Sequence, residues 1–471
     1  MRDAEATGKG LSARSYASRG RRWSRPLVLG LACSFFLFCL GATGFVYLLR
    51  HPDLVQSEHK TFRVQSRSME PTWRGPRFEA TCPECGGIVA TSLDIATASA
   101  DVGPADGNEA SPEVQRFRNS ARTLSCPNCG FADVDASGAV FRDGELLRVL
   151  PLDATKREPE RWDAAIFCDQ HGVYTLKRLV GLPGERVTIC NGDVWIDGEP
   201  TRRTVAQIWR TAEELYPTEE TRTRERLFVS RVVKLRKATA GGGERIEAVP
   251  SAVSNESQTP CFNGGSGPVE LVRDFLTRFN WDATGVGGDS LTILVRRPER
   301  AWSLEYTASS GRVVLRSIPL TSGRTETGKS FEELDASDFA RARAETFETE
   351  PAAEAPGTLS VEVMAVDGEL VLSLSGAERA RVALGDGVSD ATAAISTPFV
   401  ILGDVSRASS IRIYRDLHYS SADWRSSEPS DDSFYALGDN SPASHDSRFS
   451  DVGTIPAESV RYIVTPLEES R

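Results

Sequence analysis

Two stretches of the chain decide its fold and hold its most informative residues. They are Ser66-Arg67-Ser68-Met69-Glu70-Pro71-Thr72 and Tyr174-Thr175-Leu176-Lys177-Arg178-Leu179-Val180-Gly181-Leu182-Pro183-Gly184. The first places two serines beside a proline turn, and the second places one lysine in an apolar, strand-like run. A serine hydroxyl needs a base to become a nucleophile, and a lysine is such a base only where burial keeps its amine uncharged. We therefore expect a serine of the first stretch and Lys177 to meet within a mainly β fold.

The bulk composition narrows the class of protein. The 471 residues exceed one ordinary core, so two or three folded units are expected. Apolar residues make up 40% and charged residues 26%, which is typical of a globular protein. Because phosphate binding needs a basic face, the net charge of −11 argues against nucleic acid as a partner.

The N-terminal region is expected to anchor the chain in a membrane. Residues 1–25 hold seven Lys or Arg, and residues 26–49 are 24 uncharged, mostly apolar residues. Such a run spans about 36 Å as a helix, enough for a bilayer core. A cleaved signal peptide is the alternative, with a shorter apolar region and an A-x-A-like site. We expect a single-pass transmembrane helix in the cell (inner) membrane, with lipid as a partner, the basic tail in the cytoplasm and everything after Arg50 outside.

Composition and motif density divide the remaining chain into segments. Residues 61–78 hold the serine stretch, 79–140 a cysteine-bearing module, 141–200 strand-like runs, 201–430 a long insertion and 431–465 a second block dense in motifs. The Asn191-Gly192 dipeptide between apolar runs predicts a β-hairpin.

The insertion has a mixed pattern. Apolar spacing predicts helices over Val205–Leu215 and Val269–Phe279. Alternating runs over Val361–Leu374 and Ile411–Tyr414 favour a β-sandwich-like part, so we expect an α+β or sandwich-like insertion of unknown role.

Four motifs, in order along the chain, resemble bacterial type I signal peptidases of the serine/lysine kind. The S-x-S-M-x-P-T box is matched in full by Ser66–Thr72, and the G-D-x-V-x-F box is matched approximately by Trp162–Phe167. The K-R-x-x-G-x-P-G-D box is matched by Lys177–Glu185, with Glu185 for the final Asp, and the G-D-N-x-x-x-S-x-D-S-R box is matched in full by Gly438–Arg448. The resemblance implies an antiparallel β catalytic fold formed by 61–78, 141–200 and 431–465.

The resemblance also implies the roles of the catalytic residues. Ser68 would be the nucleophile and Lys177 the general base. The Ser66 hydroxyl and the Ser68 backbone N–H would form the oxyanion hole, and Ser444 would orient the lysine amine. Catalysis of this kind uses no cofactor.

A supporting shell of ion pairs is implied around these residues. It would consist of Arg178, Asp439, Asp446 and Arg448. The chain departs from the pattern at 441–443, where Ser-Pro-Ala stands in place of the Arg-Asp-Asn of many relatives. This departure puts the local ion-pair network in doubt.

The cysteine module predicts a structural zinc site. Two C-P-x-C-G knuckles supply Cys82, Cys85, Cys126 and Cys129, the ligand set of a zinc ribbon. The loop-like segment 92–114 can absorb their unusually wide separation at small entropic cost. Outside the cytoplasm the same thiols could instead form disulfides.

These observations favour one function and leave two alternatives. We expect a membrane-anchored endopeptidase, with its catalytic domain outside the cytoplasm, that removes signal peptides from exported preproteins beside the secretion machinery. A self-cleaving protein like the Ser/Lys repressors is disfavoured, because no DNA-binding helix pair precedes the serine. An anchored scaffold that works through the zinc ribbon and the insertion is the alternative from another class.

Overall fold

The computed structural model describes most of the chain after residue 59. The described residues are 60–84, 86–93, 102–103, 111–126, 131–152, 158–215, 233–240, 243–250, 272–284, 289–297, 299–348, 357–384, 399–420 and 431–465. The predicted tail 1–25 and span 26–49 lie outside them. Within the described ranges, no helix has the length and apolarity needed to cross a bilayer.

The described chain is mainly β, as predicted. Its strands are β1 Lys60–Val64, β2 Arg77–Thr81, β3 Ile88–Ser92, β4 Val102–Gly103, β5 Thr123–Leu124, β6 Val134–Asp135, β7 Val140–Arg142, β8 Leu146–Pro151, β9 Ala164–Cys168, β10 Tyr174–Gly181, β11 Val187–Cys190, β12 Asp193–Ile196, β13 Glu199–Pro200, β14 Glu213–Glu214, β15 Val233–Ala240, β16 Gly243–Pro250, β17 Phe275–Asp282, β18 Ser290–Arg296, β19 Arg300–Thr307, β20 Arg312–Pro319, β21 Ala344–Glu348, β22 Thr358–Val366, β23 Glu369–Leu374, β24 Ala377–Ala383, β25 Phe399–Leu402, β26 Ala408–Arg415, β27 Ser433–Leu437, β28 Ile455–Pro456 and β29 Val460–Val464. The α-helices are α1 Pro112–Ser120 and α2 Val205–Thr211, and short 3-10 turns cover Phe331–Glu333, Ala336–Phe339, Val405–Arg407, Ser441–Ala443 and Ala457–Ser459.

An eight-stranded antiparallel sheet carries the sequence motifs. Its strand order is β28-β27-β10-β9-β29-β8-β1-β4. Strand β9 is buried on both faces, because Ile166 packs in one apolar cluster with Phe62 and Leu176, whereas Phe167 packs in another with Leu179. This two-sided burial explains why β9 reads as a continuous apolar run.

The predicted hairpin is confirmed beside this sheet. Strands β11 and β12 pair antiparallel with Cys190 opposite Asp193. The two turn residues have positive φ, 54° at Asn191 and 95° at Gly192, the conformation that a two-residue hairpin turn requires.

The cysteine-bearing module forms small sheets and one helix. Strands β3, β2 and β7 make a three-stranded sheet, and β5 pairs with β6. Helix α1 begins after Ser111, whose hydroxyl accepts from the Val114 N–H. The Phe117 ring stacks on Phe78 of β2, with centroids 3.9 Å apart, and so joins the helix to the sheet.

The insertion contains two antiparallel sheets that share one core. The six-stranded sheet has the order β14-β26-β17-β22-β23-β24, and the seven-stranded sheet has the order β15-β16-β25-β18-β19-β20-β21. Side chains from both sheets, including Phe279, Val363 and Leu304, form the largest buried apolar cluster. Helix α2, predicted from Val205, begins with a capping box between Thr204 and Gln207 but ends at Thr211, earlier than expected.

The helix predicted over Val269–Phe279 is wrong. Phe275–Asp282 is strand β17, in the middle of the six-stranded sheet. Phe275 and Phe279 enter the core between the sheets, whereas Leu276 packs on the opposite face against α2. Burial on both faces of a central strand removes the alternation that distinguishes a strand from a helix.

Candidate active site

The structure brings Ser68 and Lys177 together. Ser68 follows β1 in a buried turn, and Lys177 lies in β10, opposite the small Ala165 of β9. The Lys177 Nζ lies 3.3 Å from the Ser68 Oγ, and both residues are more than 95% buried. Both groups therefore stand within hydrogen-bonding distance and away from bulk water, as a hydroxyl and its base must.

The predicted oxyanion donors contact each other in this structure. The Ser66 hydroxyl donates to the Ser68 Oγ at 3.0 Å, and the Ser68 N–H donates to the Ser66 Oγ at 3.2 Å. Rotation of the Ser66 side chain would release both donors toward an incoming carbonyl oxygen.

The Gly-Asp-Asn box holds the turn that contains Ser68 from the other side. The Asn440 N–H donates to the Ser68 carbonyl at 2.9 Å, and its side-chain amide donates to the Arg67 carbonyl at 3.1 Å. A Cβ built on Gly438 would lie 2.6 Å from the Ser68 carbonyl oxygen, so only glycine fits this close approach. The motif quoted above contains Asn440, but its role at the Ser68 carbonyl is visible only in the structure.

One buried ion pair joins this box to the lysine strand. The Arg178 guanidinium donates in a bidentate manner to Asp439 at 2.7 and 2.6 Å and also donates to the Trp162 carbonyl. The Thr72 hydroxyl donates to the same carboxylate at 2.5 Å. Asp439 therefore ties the end of the serine box to the residue after Lys177.

A second buried ion pair lies under the same loop. The Arg448 guanidinium donates to both Asp446 oxygens at 2.8 and 2.9 Å, and Asp446 accepts from the Gly438 N–H at 3.0 Å. Ser444 is buried, and its hydroxyl finds no hydrogen-bond partner among the described residues. The contact between Ser444 and Lys177 that the resemblance implies stays a prediction.

Ser441, which departs from the family motif, contacts the guanidinium of the second ion pair. Its hydroxyl accepts from Arg448 and from the Ser420 N–H, and its carbonyl accepts from Arg448 at 2.7 Å. No sequence signal identified Ser420, because it lies outside every motif. The Arg448 guanidinium is thus held by the hydroxyl groups of Ser420 and Ser441 as well as by the Asp446 carboxylate.

Glu70 is a buried acid inside the serine box. It is fully buried, and the Ser92 hydroxyl donates to one of its oxygens at 2.6 Å. Burial raises the pKa of Glu70 to about 7, although Arg67 and Arg74 act in the opposite direction. Ser92 ends β3, so this contact joins the serine box to the cysteine-bearing module.

The knuckle cysteines are only partly described. Cys82 and Cys126 are buried in one apolar cluster with Val89 and Val134. The Gly86 N–H donates to the Cys82 carbonyl, and the Cys126 N–H donates to the Phe131 carbonyl. Cys85 and Cys129 lie outside the described residues, within which no group of three or more His, Cys, Asp or Glu could hold a metal ion.

A comparison with protein families finds a match over part of the chain. Residues 137–239 match the family described as "Signal peptidase, peptidase S26". This range includes Lys177 but neither the serine box nor the Gly-Asp-Asn box. A comparison with curated proteins found no match.

Solved structures resemble the chain only weakly. Sheep galectin-11 is 9% identical, covering 32% of this chain and 98% of its own, at a TM-score of 0.20. The galectin LEC-6 of Caenorhabditis elegans is 11% identical, covering 36% and 94%, at 0.18. The CBM40 domain of a Ruminococcus gnavus sialidase is 12% identical, covering 32% and 78%, at 0.19.

Proposed function

We propose that this chain removes signal peptides from exported preproteins with a Ser68–Lys177 dyad, because residues 137–239 match the signal peptidase family, peptidase S26. The observation that carries the proposal is the 3.3 Å distance between the Lys177 Nζ and the Ser68 Oγ, with both side chains buried. The substrates are proteins that bear signal peptides, cleaved after small residues of the A-x-A type.

The proposed reaction uses only groups of this chain and water. Lys177 takes the proton of the Ser68 hydroxyl as its oxygen attacks the carbonyl carbon of the scissile peptide. The oxyanion accepts hydrogen bonds from the Ser68 N–H and the Ser66 hydroxyl, and each donor lowers the activation barrier by on the order of 3 kcal/mol. Protonated Lys177 then gives its proton to the leaving amine, which leaves an ester on Ser68.

The second half of the reaction restores the enzyme. Lys177 takes a proton from a water molecule as that water attacks the ester carbonyl. The Ser68 oxygen leaves and recovers the proton from Lys177, which releases the cleaved signal peptide. Ser444 would orient the amine in both halves, whereas Asn440 and the Arg178–Asp439 pair keep the two reacting groups in register.

We further propose a membrane location for this reaction. The basic tail 1–25 would stay in the cytoplasm, and 26–49 would cross the cell membrane once. Ser68 follows closely after that span, so the site would lie near the outer lipid surface, where a signal peptide leaves the secretion machinery. The alternative function, an anchored scaffold protein, would require neither Ser68 nor Lys177.

The dyad is tested in the full-length chain in detergent with a synthetic preprotein. Ser68→Ala and Lys177→Met should each abolish cleavage and labelling by an acylating inhibitor of serine/lysine peptidases, while thermal unfolding stays cooperative. Lys329→Met, which removes a partly exposed lysine of the insertion that pairs with Asp338, is the matched control and should cleave as the wild type does. Wild-type protein that unfolds cooperatively but neither cleaves nor becomes labelled would instead support the scaffold.

We also propose that the two knuckles hold one structural zinc ion. Two thiols, Cys82 and Cys126, already lie in one buried cluster, and Cys85 and Cys129 would complete a four-thiolate site with no open position for catalysis. Metal analysis of the full chain purified under reducing conditions should give about one zinc per chain, and Cys82→Ser should lose it. Cys168→Ser is the control, and intact mass that reveals paired disulfides instead would refute the proposal.

A further inference from the structure

The end of the insertion is part of the catalytic core. After β26 the chain runs through Leu417, His418 and Tyr419 to Ser420. Leu417 and Tyr419 pack in one apolar cluster with residues of the eight-stranded sheet, such as Leu437. The Tyr419 N–H donates to the Gly192 carbonyl at 3.0 Å, which ties the segment to the hairpin turn. We call residues 417–420 the return segment.

The return segment ends against the buried guanidinium under the active-site loop. Arg448 donates to the Ser420 hydroxyl at 3.0 Å and to the Ser441 hydroxyl. The Ser420 N–H donates to the Ser441 hydroxyl at 2.8 Å, and the two hydroxyls lie 3.1 Å apart. All three residues are more than 90% buried, so water does not compete for these contacts.

Contacts of Arg448 connect Ser420 to the turn that contains Ser68. Through Asp446 it holds the Gly438 N–H, and it also donates to the Ser444 carbonyl at 3.3 Å. Gly438 packs directly on Ser444 and on the Ser68 carbonyl. The hydroxyl of Ser420 is therefore connected to the nucleophile turn by buried hydrogen bonds and close packing.

We propose that Ser420, contributed by the insertion, is a positioning residue of the peptidase. Together with Ser441 it fixes the guanidinium of Arg448, and hence the loop 438–448 against Ser68. The proposal rests on the peptidase function proposed above. It gives the insertion a defined part in catalysis without any contact between Ser420 and substrate.

Kinetics of the full-length chain in detergent test the proposal. Ser420→Ala should lower kcat about tenfold, the rate equivalent of one buried hydrogen bond. KM should stay unchanged, because Ser420 contacts no substrate, and inhibitor labelling should slow by a similar factor. Thr201→Val is the matched control, because it removes a buried hydroxyl that donates to the Val194 carbonyl of β12 and, among the described residues, has no contact with Arg448.

A double-variant cycle separates positioning from a loss of stability. If Ser420 acts through Ser441, Ser441→Ala should lower kcat about as much as Ser420→Ala, and the double variant little further. The inference would be overturned by an unchanged kcat in Ser420→Ala, or by a double variant in which the two losses of kcat add. It would also be overturned if Thr201→Val lost kcat in proportion to the decrease in its melting temperature. A wild type that does not cleave the preprotein would instead refute the peptidase function itself.

Discussion

Replacement of Glu70 by glutamine should change how stability depends on pH. Burial raises the pKa of this carboxyl, and the nearby Glu213 adds to the increase, whereas Arg67 and Arg74 oppose it. One oxygen accepts from the Ser92 hydroxyl, and the other has no hydrogen-bond partner among the described residues. A glutamine side chain keeps the acceptor for Ser92 and cannot ionise.

The magnitude follows from the difference between the folded and unfolded states. The pKa of Glu70 rises from 4.5 to about 7 on folding. The folded state therefore binds this proton more tightly, and its stabilising effect is complete below pH 4.5 and lost as the pH rises through 7. Between pH 5.5 and pH 8.5 the free energy of unfolding should fall by about 2 kcal/mol because of this group.

Urea unfolding at these two pH values measures the effect. The wild type should lose about 2 kcal/mol more than Glu70→Gln when the pH is raised from 5.5 to 8.5. Glu345→Gln, at an exposed position of β21, is the control and should follow the wild type. A Glu70→Gln protein whose stability changes with pH as steeply as that of the wild type would refute the argument.

Two further substitutions test the packing and the charge pairing of the loop. Gly438→Ala places a methyl group 2.1 Å from the Ser444 hydroxyl, so kcat should fall about a hundredfold. Gly138→Ala is the control and should cleave normally, because no atom lies within 4 Å of its new Cβ. Equal activity of the two variants would contradict the assigned packing. Asp439→Asn leaves the buried Arg178 guanidinium without a counter-charge, so the free energy of unfolding should fall by about 3 kcal/mol in urea, and a loss below about 1 kcal/mol would contradict the importance of this pair.

Short-range signals predicted the parts of the fold that local chemistry determines. The Asn191-Gly192 hairpin and the first turn of α2 follow from backbone preferences of a few residues, and both are confirmed. The later strands of the insertion were predicted from alternation, and β22 and β23 lie where Val361–Leu374 indicated. Strand β17 was missed because a strand buried on both faces carries no alternation to detect.

Some residues of the candidate site could likewise be predicted from local sequence, and others could not. Its motif residues could be named from the sequence, because the motif itself fixes which types stand near Ser68 and Lys177. Ser420 could not be named, because it is brought to Arg448 only when the chain returns from the insertion. The acid at Glu70 was visible, but its burial depends on packing between the serine box and Ser92 of a separate module.

The two ends of the insertion are joined by buried charges, which explains how a distant segment can act on the site. Arg203, where the insertion begins, donates to Asp367 at 2.7 and 2.8 Å and to Asp416, just before the return segment. All three are buried, and separating one partner from such a cluster costs about 3–5 kcal/mol, because the remaining charges are left uncompensated away from water. Movement of the insertion that withdrew the return segment would have to break these contacts. The ionic junction therefore favours the arrangement in which Ser420 stays beneath Arg448, as the proposed positioning role of Ser420 requires.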